Sequence, residues 1–188
     1  MSTAKNAQHL VVRFSDYLYK GIDTIREHKL VIENKGAVWF AKVGRPLAKR
    51  KIEILNGQIS KNIRTYLFLV QNKETSYIWT QAILENVATE LAKNDTTLIP
   101  SYYKRHNIDG QSSIWFKVSK LYTASKSDIQ KCYVVSSRRP INQTLNSSMA
   151  AMFMIYLGDM GNQKKSNKYQ VSFEEALLDV YEDEFDDY

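Results

Sequence analysis

The side chains best equipped for chemistry in this chain are aromatic and basic. Twelve Tyr, seven Phe and three Trp accompany 26 Lys and Arg in 188 residues. Aromatic faces stack on nucleobases and cationic heads pair with phosphates, so this combination suits a nucleic acid. Trp39 lies in the apolar run Ala37-Val38-Trp39-Phe40-Ala41, just before Lys42, Arg45, Lys49, Arg50 and Lys51. Tyr102 and Tyr103 directly precede Lys104, Arg105 and His106, and further basic groups are Lys61 with Arg64 and Arg138 with Arg139. A solvated face accounts for any one of these groups. Several of them, each at a loop or helix start, are what a phosphate-tracking surface requires. Core packing accounts for Trp39 as well as base stacking does, and it is the better account of Trp79 and Trp115. For Tyr102 and Tyr103, stacking on a base and lining a pocket are both open.

Enzyme chemistry has little to stand on. The sequence holds no G-x-S-x-G elbow, no Walker phosphate loop and no H-E-x-x-H. His9, His28 and His106 are scattered, without metal-ligand spacing, and Cys132 is the single cysteine. It is expected to be a buried, inert thiol. No catalytic residue, metal site or cofactor is therefore expected. The longest apolar run, Met149 to Leu157, is about half of the ~20 residues that a membrane span needs. The start of the sequence lacks the apolar stretch of a secretory signal, so no membrane partner and a cytoplasmic location are expected.

Charge is unevenly distributed. The formal net is +6, but eight acids fall in the last fifteen residues and no basic residue follows Lys168. Residues 1–168 hold 26 basic and 12 acidic side chains, a formal +14. A body that basic points to a polyanion.

The elements that must position these groups follow from periodicity. Leu10, Val11, Phe14, Tyr17, Leu18, Gly21, Ile22 and Ile25 recur at three- and four-residue spacing, which predicts an amphipathic helix, with a short strand at Leu30 to Ile32. Ala37 to Ala41 reads as a strand, Gly44-Arg45-Pro46 as a turn, and Leu47 to Ile59 as a basic helix. Thr65 to Val70 and Tyr77 to Leu84 read as a hairpin about a polar turn at Gln71 to Thr75. Thr89 to Asp109 reads as a long irregular loop carrying the Tyr102–His106 cluster, and such loops are often functional. Ile114 to Leu121 is the clearest strand. Ser125 caps one helical turn to Gln130, Tyr133 to Val135 is a strand, and Ser136 to Pro140 is a loop. Asn146 to Leu157 is a helix or a strand. Gly158 to Lys168 is linker-like, and Phe173 to Tyr181 reads as a short acidic amphipathic helix with too little apolar surface to fold alone.

The order of these motifs resembles the EVE and YTH branch of the PUA-like superfamily. The resemblance runs over about residues 36 to 155: Val38-Trp39-Phe40-Ala41-Lys42, a basic helix, Thr65 to Val70, Trp79 to Leu84, Ile114-Trp115-Phe116-Lys117-Val118, Ser125 to Ile129, and Val134 to Arg138. It implies an α+β chain, with a small distorted PUA-like β-barrel flanked by helices and a base-binding aromatic cage. Residues 1–35 would then be a partly helical extension, 36–158 the binding domain, and 159–188 a linker with an acidic segment. By position, Trp39 resembles the cage tryptophan, with Ala41 and Lys42 beside the base edge. Phe40 stands where relatives carry Ser or Asn. Tyr102 or Tyr103 would supply the second wall. The backbone contacts would come from Arg45, Lys49, Arg50, Lys104, Arg105, Ser137, Arg138 and Arg139.

The segment Ser172 to Tyr181 is similar to the linker that precedes the AAA+ GTPase domain of McrB-like restriction subunits. That resemblance implies a non-catalytic, monomeric module that flips a methylated base out of duplex DNA, in concert with a motor and a McrC-like nuclease. Two alternatives stay open: a plant B3-like reader of unmodified DNA, and an RNA-binding YTH/PUA-type module.

Overall fold

The computed structural model describes residues 7–16, 21–73 and 76–158. Seven strands form one mixed sheet: β1 (Gln8–Phe14), β2 (Val38–Val43), β3 (Tyr66–Lys73), β4 (Ser76–Ala88), β5 (Ser112–Thr123), β6 (Cys132–Val134) and β7 (Met152–Leu157), in the order β2-β5-β4-β3-β1-β7-β6. Only β1 with β3 is parallel; the other pairs are antiparallel. The helices are α1 (Thr24–Lys35), α2 (Lys49–Ser60), α3 (Ser101–Arg105), α4 (Ile108–Gln111), α5 (Lys126–Gln130) and α6 (Ile141–Ser147), with a 3-10 turn at Lys93–Leu98.

The sheet is curled but not closed. Strands β1 and β2 stand four positions apart in it. Laid flat, that is about 19 Å at ~4.8 Å per step. Yet the rings of Phe14 on β1 and Phe40 on β2 meet edge-on at 5.9 Å. The inner face therefore folds over itself around one core, which includes Leu10, Val12, Phe40, Leu67, Leu84 and Phe116. Ile52, Leu55 and Ile59 of α2 close that core from one side. The terminal strands β2 and β6 do not pair, so the expected barrel is present as curvature without a hydrogen-bonded seam.

Two amides fix α2 on the sheet. Asn56 donates to the Val87 carbonyl at 2.8 Å and accepts the Val87 N–H at 2.9 Å, at the irregular end of β4. Gln58 does the same for Gln8 of β1, at 2.7 and 2.8 Å. Each amide replaces a missing strand neighbour for one backbone N–H and one C=O, groups that are costly to leave unpaired. Helix α1 starts at Asp23, which accepts from the Arg26 N–H at 3.0 Å. It stops at Gly36, whose φ of 82° is open to glycine at little cost.

Several sequence expectations are corrected. The helix expected from Leu10 begins instead as strand β1, because Leu10, Val11 and Val12 are buried on both faces between β3 and β7. A strand buried on both sides reads as a continuous apolar run, which periodicity cannot separate from a helix. Leu30 to Ile32, expected as a strand, lies within α1. The boundary expected at residue 35 separates no independent body, since β1 lies inside the sheet. The long loop from Thr89 is the 3-10 turn followed by α3 and α4. Of the ambiguous stretch, Asn146 and Ser147 end α6 and Met152–Leu157 is strand β7. Residues 159–188, with the linker and the acidic segment, lie outside the described residues.

Candidate nucleic-acid interface

Alternation along β2 splits the expected cage. Trp39 and Ala41 point to the outer face of the curled sheet, while Val38 and Phe40 point into the inner core. Phe40, expected beside the base, packs instead against Phe14 and His28. Trp39 does meet Tyr102 and Tyr103, in a cluster completed by Ile99, Ile108 and Trp115. The cluster is closed, however: Trp39 is 1% exposed and both tyrosines are 2% exposed. Short helices α3 and α4 and the 3-10 turn lie over it. An open slot at Trp39, which the resemblance implies, is therefore not what the structure presents.

The tyrosines carry structural duties. Tyr103 Oη accepts the Ala41 N–H at 2.9 Å, which satisfies a backbone donor on the terminal strand β2. His28 Nδ1 donates to the Thr24 carbonyl at 2.6 Å, so its Nε2 accepts from the Tyr103 hydroxyl at 3.0 Å. Burial lowers the His28 pKa to about 4 against the opposing pull of the Thr24 carbonyl, and it stays neutral in this relay. Burial likewise raises the Tyr102 pKa to about 12. A terminal strand with unpaired N–H groups needs such a cover.

Two features of Trp39 are unlike core packing. Its Nε1 is buried and has no hydrogen-bond partner. Its ring lies 5.6 Å from the Lys117 ammonium, and Lys117 pairs with Asp95 of the 3-10 turn at 3.4 Å. Both partners are about 30% exposed, at 30% and 27%. A partly exposed ion pair thus lies beside a buried indole whose donor is unspent.

The basic groups divide by location. Val43 pairs with Ser112, and Ser113 donates to the Lys42 carbonyl, so the ends of β2 and β5 form one corner. Helix α4 packs on β2 at this corner. Arg45, Lys49 and Arg50 leave it toward α2, and Lys104 and Arg105 lie on α3; all five are exposed. Lys42 is half-buried, and desolvation lowers its pKa. Ser137, Arg138 and Arg139 sit in the exposed turn after β6. Arg138 N–H bonds to Val134, and Arg139 N–H bonds to Ser137 Oγ, so these contacts do not reach the Trp39 cluster.

The remaining expectations are structural ones. Trp79 and Trp115 are buried, as read from the sequence. Cys132 is buried and its thiol is pushed up to about 12 by desolvation and by Asp128. Among the described residues no group of three or more His, Cys, Asp or Glu could hold a metal ion. No helix there is long and apolar enough to cross a membrane. Sequence reasoning missed the Asn56 and Gln58 clamps and the Lys117–Asp95 pair. For the pair, a lysine among buried neighbours on β5 was the available signal.

A curled mixed sheet with helices against it and exposed basic groups near one end of β2 defines a small α+β domain. The chain belongs to the PUA-like family, whose model matches residues 10–174. That membership suggests nucleic-acid binding in general. Comparisons with curated proteins and with solved structures gave no match.

Proposed function

We propose that this chain is the DNA-specificity module of a McrBC-type restriction system, of the EVE/YTH kind, and that it catalyses nothing itself. The observation that carries the reading is the buried, partnerless indole N–H of Trp39, packed with Tyr102 and Tyr103 of α3, the helix that exposes Lys104 and Arg105, while Arg45, Lys49 and Arg50 lie exposed on the chain that follows β2. Phosphate pairing by those basic groups supplies affinity and a steep salt dependence. The base-selective step places an extruded methylated base against Trp39, whose N–H then finds an acceptor. Flipping costs a few kcal/mol and aromatic stacking returns roughly 1–3 kcal/mol. One methyl group adds only ~0.8 kcal/mol, and plain and methylated bases offer the same acceptors, so discrimination needs the methyl group to seat the base where that hydrogen bond can form. With Trp39 at 1% exposure, the step requires the Lys117–Asp95 pair and the 3-10 turn to move aside. In this reading the module works in the cytoplasm beside a C-terminal AAA+ motor and, through it, a McrC-like nuclease.

The closed state of the cluster favours a second reading, a reader of unmodified DNA that uses the basic groups alone. A binding titration at one salt concentration separates the two, using duplexes that differ in a single methylated base. Under the first reading Trp39→Ala abolishes the preference, and Trp39→Phe, which keeps the core filled, also loses the hydrogen-bonded part. Lys49→Ala, in the proposed phosphate surface, weakens both duplexes equally. A preference that survives Trp39→Phe unchanged overturns the role of the indole N–H. Single-stranded RNA outcompeting both duplexes would favour the RNA-binding alternative.

A further inference from the structure

The second feature that asks for an occupant lies on α2. A groove of about 360 Å³ runs along this helix, with Ile54, Gly57 and Ile63 as its apolar floor and Arg50 and Lys61 among its walls. We infer that the acidic C-terminal segment of this same chain, Phe173 to Tyr188, docks in this groove and competes with nucleic acid for α2. The inference rests on the DNA-binding reading above only for what is displaced, because Lys49 and Arg50 belong to the proposed phosphate surface.

Three observations converge on that occupant. The first is charge: the segment holds eight acids and no base, against a body of formal +14. The second is pattern: Phe173, Leu177, Val180 and Tyr181 recur at three- and four-residue spacing, the anchor spacing of a helix laid in a groove. The third is where the chain leaves the sheet. Its described part ends at Gly158, two residues beyond Tyr156, and Tyr156 is the register partner of Gln8. Gln8 is held at both backbone groups by Gln58, a residue of the groove. The exit therefore lies one strand spacing and one hydrogen bond from the site.

Residues 159–171 connect the exit to Ser172 and Phe173, and thirteen residues of Gly-, Asn- and Ser-containing chain can bridge ~20 Å, enough to reach the groove. Tethering at that length gives an effective concentration on the order of 1 mM. A segment with an intrinsic affinity of about 0.1 mM would then be docked roughly ten times more often than free, weakening DNA binding by the same factor. Glu53 also lines the groove, so the acids of the segment must face Arg50 and Lys61, which fixes its orientation.

The test uses the full chain and an unmodified DNA duplex as probe. Leu177→Ser removes an apolar anchor and keeps every charge. Gly57→Gln fills the groove with a neutral side chain, and a Cβ there meets nothing within 4 Å. Both variants should tighten duplex binding roughly tenfold and raise amide hydrogen exchange in the groove-facing part of α2. Tightening by removal of acids alone, with Leu177→Ser inert, would mean long-range repulsion and would overturn docking. So would unchanged exchange in α2. Protection of α2 that grows with protein concentration would assign the groove to a second copy and overturn the intramolecular form. If exchange responds as expected while no duplex binds either chain, docking stands and the nucleic-acid reading is what fails.

Discussion

The outer face of the curled sheet is covered twice, and the two covers are built differently. Over β1, β3 and β7 lie α5 and α6, and with the terminal strand β6 they enclose a cluster of Val11, Phe68, Trp79, Phe153 and Ile155 with Cys132, Val134, Ile141 and Leu145. There the cation is Arg13, stacked 5.6 Å from Phe153 and donating to the carbonyls of Leu145 and Ser148 at the end of α6. Over β2 and β5 lie the 3-10 turn, α3 and α4, and the cation is Lys117, held by a half-exposed carboxylate. Arg13 is locked by backbone that cannot leave without unwinding a helix end. Lys117 is latched by one side chain on a short turn, and an exposed pair of that kind is worth only ~0.2–1 kcal/mol. The difference predicts that the second cover opens more readily than the first.

Acid should produce the largest effect, and it acts in both regions. His9 sits on β1, accepting the Tyr66 N–H at 3.2 Å, and His28 bridges α1 to Tyr103. Burial lowers each pKa from 6.5 to about 4. The unfolded chain takes up these protons near pH 6.5 while the folded chain refuses them. Stability is therefore full above that pH, falls as pH drops from 6.5 toward 4, and levels off below. Each histidine accounts for roughly 3 kcal/mol of the loss. Urea midpoints across that range should show the slope, and a flat profile would mean that neither ring is buried neutral.

Next in size is the contrast between the two cations. Arg13→Ala strips donors from two carbonyls and should cost roughly 2–3 kcal/mol by urea denaturation. Lys117→Ala should cost under about 1 kcal/mol. Equal costs would erase the distinction between lock and latch.

Much of this architecture was legible in the sequence, and where it was not, the reasons are physical. The β2–turn–α2 unit, the β3–β4 hairpin, β5 and the Ser125 cap follow from turn residues and apolar runs. Ser125 does accept the Asp128 N–H at 3.1 Å. Strand β1 was misread because burial on both faces removes the alternation that marks a strand. Tyr102 and Tyr103 were placed in an exposed loop because their basic neighbours suggested solvent. A one-turn helix buries two aromatic rings and exposes Lys104 and Arg105 on its other side. Trp39, Tyr102 and Tyr103 share one cluster and Phe40 does not, and whether a cluster is open depends on what covers it. Here the cover is tied in part by Lys117 with Asp95, twenty-two residues apart, and by Lys35 with the Thr97 carbonyl, pairings that no local pattern encodes.

The smallest expected effect is the one that bears most directly on function. Asp95→Asn keeps the shape of the side chain and removes the charge that holds Lys117. Global stability should change by less than about 1 kcal/mol, since the pair is half-exposed. The cover should nonetheless loosen locally: amide exchange across residues 93–111 should rise while exchange in β1, β3 and β7 stays unchanged, the signature of a sub-global opening. If the opened form is the one that admits a base, the same variant should bind a methylated duplex more tightly than the unsubstituted chain does, because less of the binding energy is spent on parting the latch. Exchange that rises together in both covers would make them one cooperative unit, and Trp39 would then be a core residue and nothing more.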